Sequence, residues 1–511
     1  MCSQDRVAAF GGLREVWTQA WPNVVTMSSF TIMQFVDALM VGQLGPLQLA
    51  AQGNGGVWSF TIIAFVFGLL TLVNTFTAQN LGAGTPRVGP RYAWAGSWIA
   101  MGVWVLVLLP CAFLMPVLFR SFGHGAELVQ MESSYGGILM LGAIFLLTGK
   151  SLHHFFFGLH RPKVITVTAL VANVVNVGMT YILVFGEDGL PWLGIPGIPG
   201  VPAMGVTGAA IGTVCGGFVE LAIPAAIFLG PKLNRELGTR SSWRPRWKEI
   251  TDLFRVGWPA SLQMGNEIIC WAVLVTVLVG LFGTDHMSAG WAAIRYMHVS
   301  FMPAIGFSIA TTALVGRYIG SGDPDTAVAR ARLSLMLAVG YMVACGVIFM
   351  VFRYPLIGLF ISADAEAIEQ IQVERVIQIG ATVMIASAVF QVFDAVGIIY
   401  NGALRGAGDT IWPGVITVLY SWAFMVLGGW LMAVVFPGLE SIGPWIAASV
   451  YLGVLGVTLA IRFERGRWRS IKLVAGPEGA LKSVGVPGPA PPPLSAAGSI
   501  RDEVEGFTSP K

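Results

Sequence analysis

The chain has 511 residues, 55% of them hydrophobic and only 11% charged, with 64 glycines and a formal net charge of +3. A mean hydropathy of +0.72 is too high for a water-soluble protein of this length, and so small a net charge leaves no electrostatic footprint for nucleic acid. The composition is that of an integral membrane protein whose constant partner is the lipid bilayer.

Runs of about 20 apolar residues suffice, at about 1.5 Å of rise each, to cross a hydrocarbon core of about 30 Å. After a short N-terminus over 1–15, twelve are predicted in order: 20–43, 55–80, 93–117, 135–157, 164–186, 205–229, 256–282, 290–316, 333–360, 377–400, 413–436 and 443–463. Alternating patterns of strand type are absent, which argues against a β-barrel. The first apolar run is already full length, so no cleaved signal is expected. From about 473 the chain turns rich in Pro, Gly, Ala and Ser, including Pro491-Pro492-Pro493, and 466–511 is expected to form a disordered cytoplasmic tail.

Two halves repeat in register. Trp21-Pro22 returns as Trp258-Pro259, 237 positions on, while Gly68 returns as Gly306 and Leu81-Gly82-Ala83-Gly84-Thr85-Pro86 as Ile319-Gly320-Ser321-Gly322-Asp323-Pro324 at 238. The expected organisation is a six-helix unit over 16–230, a basic linker over 231–250 and a second unit over 251–465. An even helix count per unit makes the duplication parallel. Pro22 and Pro259 suit the first turn of a helix, with bending points as the alternative.

Lys and Arg mark one side of the membrane. Arg14, Arg87, Arg91, Arg161, Lys163, six cations between Lys232 and Lys248, Arg330, Arg332, Arg405 and Arg462 to Lys472 fall on the side of the N-terminus, against little beyond Arg120 and Arg353 opposite. The bias predicts both termini in the cytoplasm of a multi-pass protein of the plasma or inner membrane.

Three carboxylates, Asp37, Glu267 and Asp394, lie inside these apolar runs. A charge at mid-membrane costs about 2.5–3.5 kcal/mol on insertion scales, so such residues face a polar cavity or a partner. A structural ion pair is one reading. The functional one is a reversible site for H+ or Na+, since desolvation favours the neutral acid and a carboxylate in a semi-dry cavity takes up a proton where pH is lower. Competition with a cationic substrate in the same cavity is the minimal physics of exchange. Lys150, in the fourth run, is a possible partner for Asp37 or a residue snorkelling to the interface. Arg295 and His298 are possible partners for Glu267.

Other chemistry finds little support. Leu147-Thr148-Gly149-Lys150-Ser151 lacks the first glycine of a phosphate loop, having Ile144 there. His153-His154 has no nearby acid in sequence and reads as packing, not as a metal site. The five cysteines form no CxxC pair and are expected to be free.

The motifs together resemble the multidrug and toxic compound extrusion (MATE) family, in its bacterial NorM-type branch, over about 15–465. Phe393-Asp394-Ala395 followed by Gly402-Ala403-Leu404-Arg405-Gly406-Ala407-Gly408-Asp409-Thr410 matches the family's tenth-helix signature, beside Pro22 with Asp37, Ala78 to Gly84, Asn173 to Gly186 and Gly205 to Thr213. The resemblance implies an all-α membrane fold of twelve helices in a V-shaped pair of bundles with alternating access. It implies export of small organic compounds, cationic or amphipathic, by antiport with H+ or Na+, without a cofactor or catalytic residue. The first-unit ion site falls on Asp37 and Asn176, where Na+ would bind, with Thr180 and Thr213 as neighbours; the second-unit acids fall on Glu267 and Asp394. Thr180 stands where the family often has Asn or Asp, and Lys150 and Arg295 are added cations; both departures favour H+. The chain is expected to act as a monomer. The rival readings are a lipid-linked saccharide flippase of the same superfamily, against which the scarcity of cleft cations argues, and a membrane enzyme.

Overall fold

The computed structural model describes residues 3–189, 196–359 and 367–474, with no side-chain account for 3–10, 46 and 367–372. Twelve helices among these are long and apolar enough to span a bilayer. In chain order they are α1 (Gly11–Gly42), α2 (Leu47–Gly82), α3 (Pro86–Ser121), α4 (Ala126–Gly158), α5 (Pro162–Phe185), α6 (Gly205–Phe228), α7 (Trp247–Phe282), α8 (Thr284–Gly320), α9 (Pro324–Val351), α10 (Val373–Ala407), α11 (Ile411–Val435) and α12 (Ile442–Glu464).

Each half packs as its own bundle. Aromatic side chains fill the first, with Phe155 edge-on to Phe228 and Phe76 stacked on Tyr92. The second is built around Trp445, Tyr451 and Phe463, all buried. In lipid there is little hydrophobic drive between helices, so close approach through small residues carries much of the packing. Gly208 lies against the backbone of Leu183, and Gly456 against Phe393.

The bundles meet along the basic side, and the contacts obey the repeat. A Cβ on Gly68 would overlap Ala260 of α7, and one on Gly306 would overlap Asn23 and Val24 of α1. The register carries Asn23 onto Ala260 as it carries Gly68 onto Gly306. Likewise Gly82 lies on Arg317, and Gly320 on Gln79. These reciprocal pairs put a pseudo-twofold axis between α2 and α8, along the membrane normal. Toward the opposite side, glycine contacts between the bundles end at Gly265 against Phe65, near the middle of both helices. The two bundles therefore form a V, joined on the basic side and open on the other.

Hydrogen bonds seal the same seam. Asn74 Nδ2 donates to Ile309 O at 3.2 Å, Thr75 Oγ1 to Arg405 O at 3.0 Å and Gln79 Nε2 to Gly406 O at 2.9 Å. His160 Nε2 reaches Ala313 O at 3.2 Å. At the rim, Glu15 accepts from Tyr318 at 2.8 Å and from Arg330 at 2.7 Å.

Two expectations need correction, on the prolines and on the tail, and the linker between them gains a structure. Pro22 and Pro259 lie well inside helices that begin at Ser3 and Trp247, because polar residues extend both helices beyond the apolar runs. The Pro22 carbonyl oxygen ties α1 to α5, accepting from the hydroxyls of Thr26 and Thr166 at 2.8 Å each. The 231–250 linker is folded: Pro231–Leu237 is helical, Leu233 and Leu237 are buried, and Trp94 Nε1 donates to Thr239 O at 2.8 Å. The expected tail also starts late. Trp468 is buried, stacks on Phe463 at 5.1 Å and donates to Phe463 O at 2.7 Å, so 466–474 belongs to the second bundle, while 475–511 lies outside the described residues. Trp468→Ala is expected to cost about 3–5 kcal/mol through the cavity it leaves. A lowered unfolding temperature in detergent checks this.

Candidate functional site

Asp37 sits five residues from the open end of α1, in the interior of the first bundle. It is 6% exposed, beside Asn176 at 1% and Thr180 at 0%, both from α5. Both side chains act on the carboxylate, yet Asp37 Oδ1, the two polar atoms of the Asn176 amide and Thr180 Oγ1 are all sealed from solvent without a hydrogen-bond partner. Buried polar atoms are nearly always satisfied. Three of the four orphans are oxygens, from Asp37, Asn176 and Thr180, and together they form a set of oxygen type suited to a proton or a small hard cation. Local sequence makes the room: a Cβ on Gly216 would sit 2.9 Å from Asn176 Cβ, and Gly212 lies against Thr180.

Thr213 is half-buried and gives its hydroxyl proton to Ala209 O at 3.0 Å. It stands with Gln52 beside the buried Tyr135, whose phenol lies in the field of Asp37. Tyr135 and Gln52 escaped the sequence reading. An aromatic at the start of an apolar run and an amide just before another carry no signal of their own until the helices are packed.

Lys150 does not pair with Asp37. Its Nζ lies 3.1 Å from Glu220 Oε2 of α6. Glu220 is a fourth carboxylate within the apolar runs, and the intramembrane-acid signal that marked the other three applied to it equally. Outside those runs, Glu132 is buried near the open end of α4, bonded to Asn54 at 2.6 Å and His124 at 2.9 Å. His153 of the adjacent histidine pair bonds Glu220 O at 3.0 Å, and among the described residues no group of three or more His, Cys, Asp or Glu could hold a metal ion.

In the second bundle Glu267 is half-buried on α7, with Gln263 Nε2 at 3.5 Å from Oε1. Asp394 of α10 lies within electrostatic reach of it, and Tyr451 of α12 is buried in the field of both. The cation acting on Glu267 is Arg405, not Arg295 or His298. His298 bonds its own helix at Ile294 O, 3.2 Å away, and its ring lies edge-on to Phe301. The structure thus groups Asp37, Asn176 and Thr180 in one bundle and Glu267 and Asp394 in the other, with Thr213 one layer off.

A groove of about 660 Å³ between α10 and α12, bounded by Phe390, Phe393, Val450 and Val457, is apolar except for Ser449 and Thr458 and suits hydrocarbon, not a cation.

The MatE family model matches residues 22–182 and again 259–431. "Probable multidrug resistance protein NorM" of Rhizobium meliloti (strain 1021) is 30% identical over 443 residues, covering 84% of this chain and 88% of that protein. "Multidrug resistance protein NorM" of Burkholderia vietnamiensis is 26% identical over 459 residues, covering 90% and 94%. Among solved structures, a MOP superfamily transporter from Pyrococcus furiosus aligns with a TM-score of 0.78 at 20% identity over 90% of this chain and 97% of the other. A mutant of the Vibrio cholerae MATE transporter VcmN aligns at 0.77, with 19% identity, over 91% and 99%. Both share the fold.

Proposed function

The chain belongs to the MatE family, and on that premise we propose that it is a secondary active exporter of cationic or amphipathic organic compounds, driven by entry of H+ or Na+. The NorM relatives, named for multidrug resistance, support the substrate class. The observation that carries the coupling is the set of orphaned polar atoms around Asp37, on the open side of a V whose other side is sealed. In this reading the sealed, basic side faces the cytoplasm, as the Lys and Arg distribution favours. The Asp37 cluster, sealed from solvent in this conformation, then lies toward the outer face, and the ion enters it from there.

The cycle follows from charge. An organic cation leaving against an inside-negative potential costs about 2.3 kcal/mol per charge per 100 mV, and one entering monovalent cation cancels that cost, leaving the ion's concentration gradient as the drive. Asp37 binds the entering ion, Glu267 and Asp394 attract the organic cation, and each chain works as a monomer because it holds both bundles. Na+ is substrate here, with Asp37, Asn176 and Thr180 able to offer oxygen ligands.

Ethidium efflux from proteoliposomes, with pH and Na+ gradients imposed separately, tests the assignment. The expected result is efflux that follows one gradient; indifference to both overturns it. In the same vesicles Asp394→Asn is expected to abolish exchange, with ethidium binding measured separately to show that the fold persists.

A further inference from the structure

One charged pair in the first bundle has no part in the exchange as described. The Lys150 and Glu220 side chains are 12% and 10% exposed, and the pair joins α4 to α6. The ammonium lies 5.7 Å from the ring centroid of Phe30 and 5.8 Å from that of Phe67. Both rings cap it from α1 and α2.

Its place relative to Asp37 is set by helix geometry. Phe30 precedes Asp37 by seven residues and Glu220 follows Thr213 by seven, two turns in each case and hence the same face, about 10 Å deeper. Gly216, one turn before Glu220, is the residue whose added Cβ would touch Asn176. The pair is therefore the next polar layer below the Asp37 cluster. The other titratable groups there are His153, bonded to Glu220 O, and His154, which lies in the fields of Lys150 and Arg405.

A buried ion pair is weak evidence for stability, because well-packed apolar residues often do as well. Its electrostatic effect is definite. Paired, the two charges cancel and Asp37 is left as the single net charge of this layer and the one above. Either partner alone would act on Asp37 across about 10 Å of protein, enough to change a cation's affinity on the order of tenfold.

We propose that Lys150 and Glu220 form an internal counter-charge pair that holds the Asp37 site to one monovalent cation. The inference rests on the reading of Asp37 as the coupling site and adds to it the residues that set stoichiometry. Glu220→Gln leaves an unmatched ammonium that competes with the entering ion. Lys150→Met leaves a second acid that attracts it. The double variant restores neutrality.

The test measures ethidium efflux from proteoliposomes against the concentration of the driving ion, and the membrane potential at which efflux stops. Glu220→Gln is expected to raise the half-saturating ion concentration about tenfold, and Lys150→Met to lower it by a similar factor and raise the charge moved per ethidium. Lys150→Met with Glu220→Gln is expected to return both to wild type. Singles that shift in the same direction, or not at all, overturn the inference, as does a folded double variant that stays impaired. A merely structural pair would lower yield or unfolding temperature and leave half-saturation unmoved. If Glu220→Gln does not fold, Lys150→Met and the double variant still decide. Wild-type efflux indifferent to both gradients overturns the exchange reading itself, and this inference with it; coupled wild-type efflux with unshifted singles overturns this inference alone.

Discussion

Asp37→Asn is expected to abolish gradient-driven ethidium efflux while leaving the protein folded. The change swaps one oxygen for an amide nitrogen at nearly constant volume, so the 6% exposed pocket stays filled. The loss is one of charge. Asn176 and Thr180 offer only neutral oxygens, and a neutral triad cannot take up a proton or offset the charge of Na+ in a place where hydration is stripped away. With no ion to exchange, ethidium should relax to its passive distribution, whichever gradient is imposed. The check is efflux in proteoliposomes beside an unfolding temperature in detergent. Retained coupling would move the ion site to Glu267 and Asp394.

Gly320→Val is expected to stop transport by a different route, by keeping the basic side from closing. Any Cβ at position 320 overlaps the Gln79 carbonyl, which is backbone and cannot rotate away. Overpacking of this kind costs about 1–3 kcal/mol by itself. Separating the helices also breaks the bonds of Thr75 and Gln79 to Arg405 O and Gly406 O, at about 1 kcal/mol each. A two-state equilibrium passes from 99:1 to 1:99 for about 5.5 kcal/mol, so a penalty of about 3–5 kcal/mol is enough to empty most of the closed state. Ala78→Cys, in a background without the five native cysteines, reports on the seam, since Ala78 is buried against Gly316. Maleimide labelling from the basic side is expected to be slow while Gly320 is retained and fast once Gly320→Val is added to the same background. Equal rates would mean that the seam tolerates the side chain.

The fold was largely legible because lipid imposes it. Twelve apolar runs and a 237 to 238 register were enough to expect two parallel bundles, and the signature glycines explain themselves once packed. Gly402 lies against Ser308 and Gly406 against Thr312 of α8, so these positions are small because two backbones approach there. The carboxylates were legible for the same reason, as charges where charge is costly. What sequence could not supply was azimuth between helices. Periodicity tells which face of α4 carries Lys150 but not whether α1 or α6 stands opposite, and the ammonium chose Glu220. Arg295 and His298 show the same gap for α8. Helix ends were missed where polar residues lengthen a helix past its apolar run, as at Pro22 and across the linker.

The seam on the basic side has an asymmetry that its pseudo-twofold axis does not require. Every hydrogen bond from Asn74, Thr75, Gln79 and His160 runs from a side chain of the first bundle to a main-chain oxygen of the second. No substitution at 309, 313, 405 or 406 deletes those oxygens. Genetic selection for variants that unlock a jammed carrier should accordingly return losses of these four hydrogen-bond donors from the first half of the gene, whereas the second half loosens them only by displacing its backbone, as Gly320→Val does.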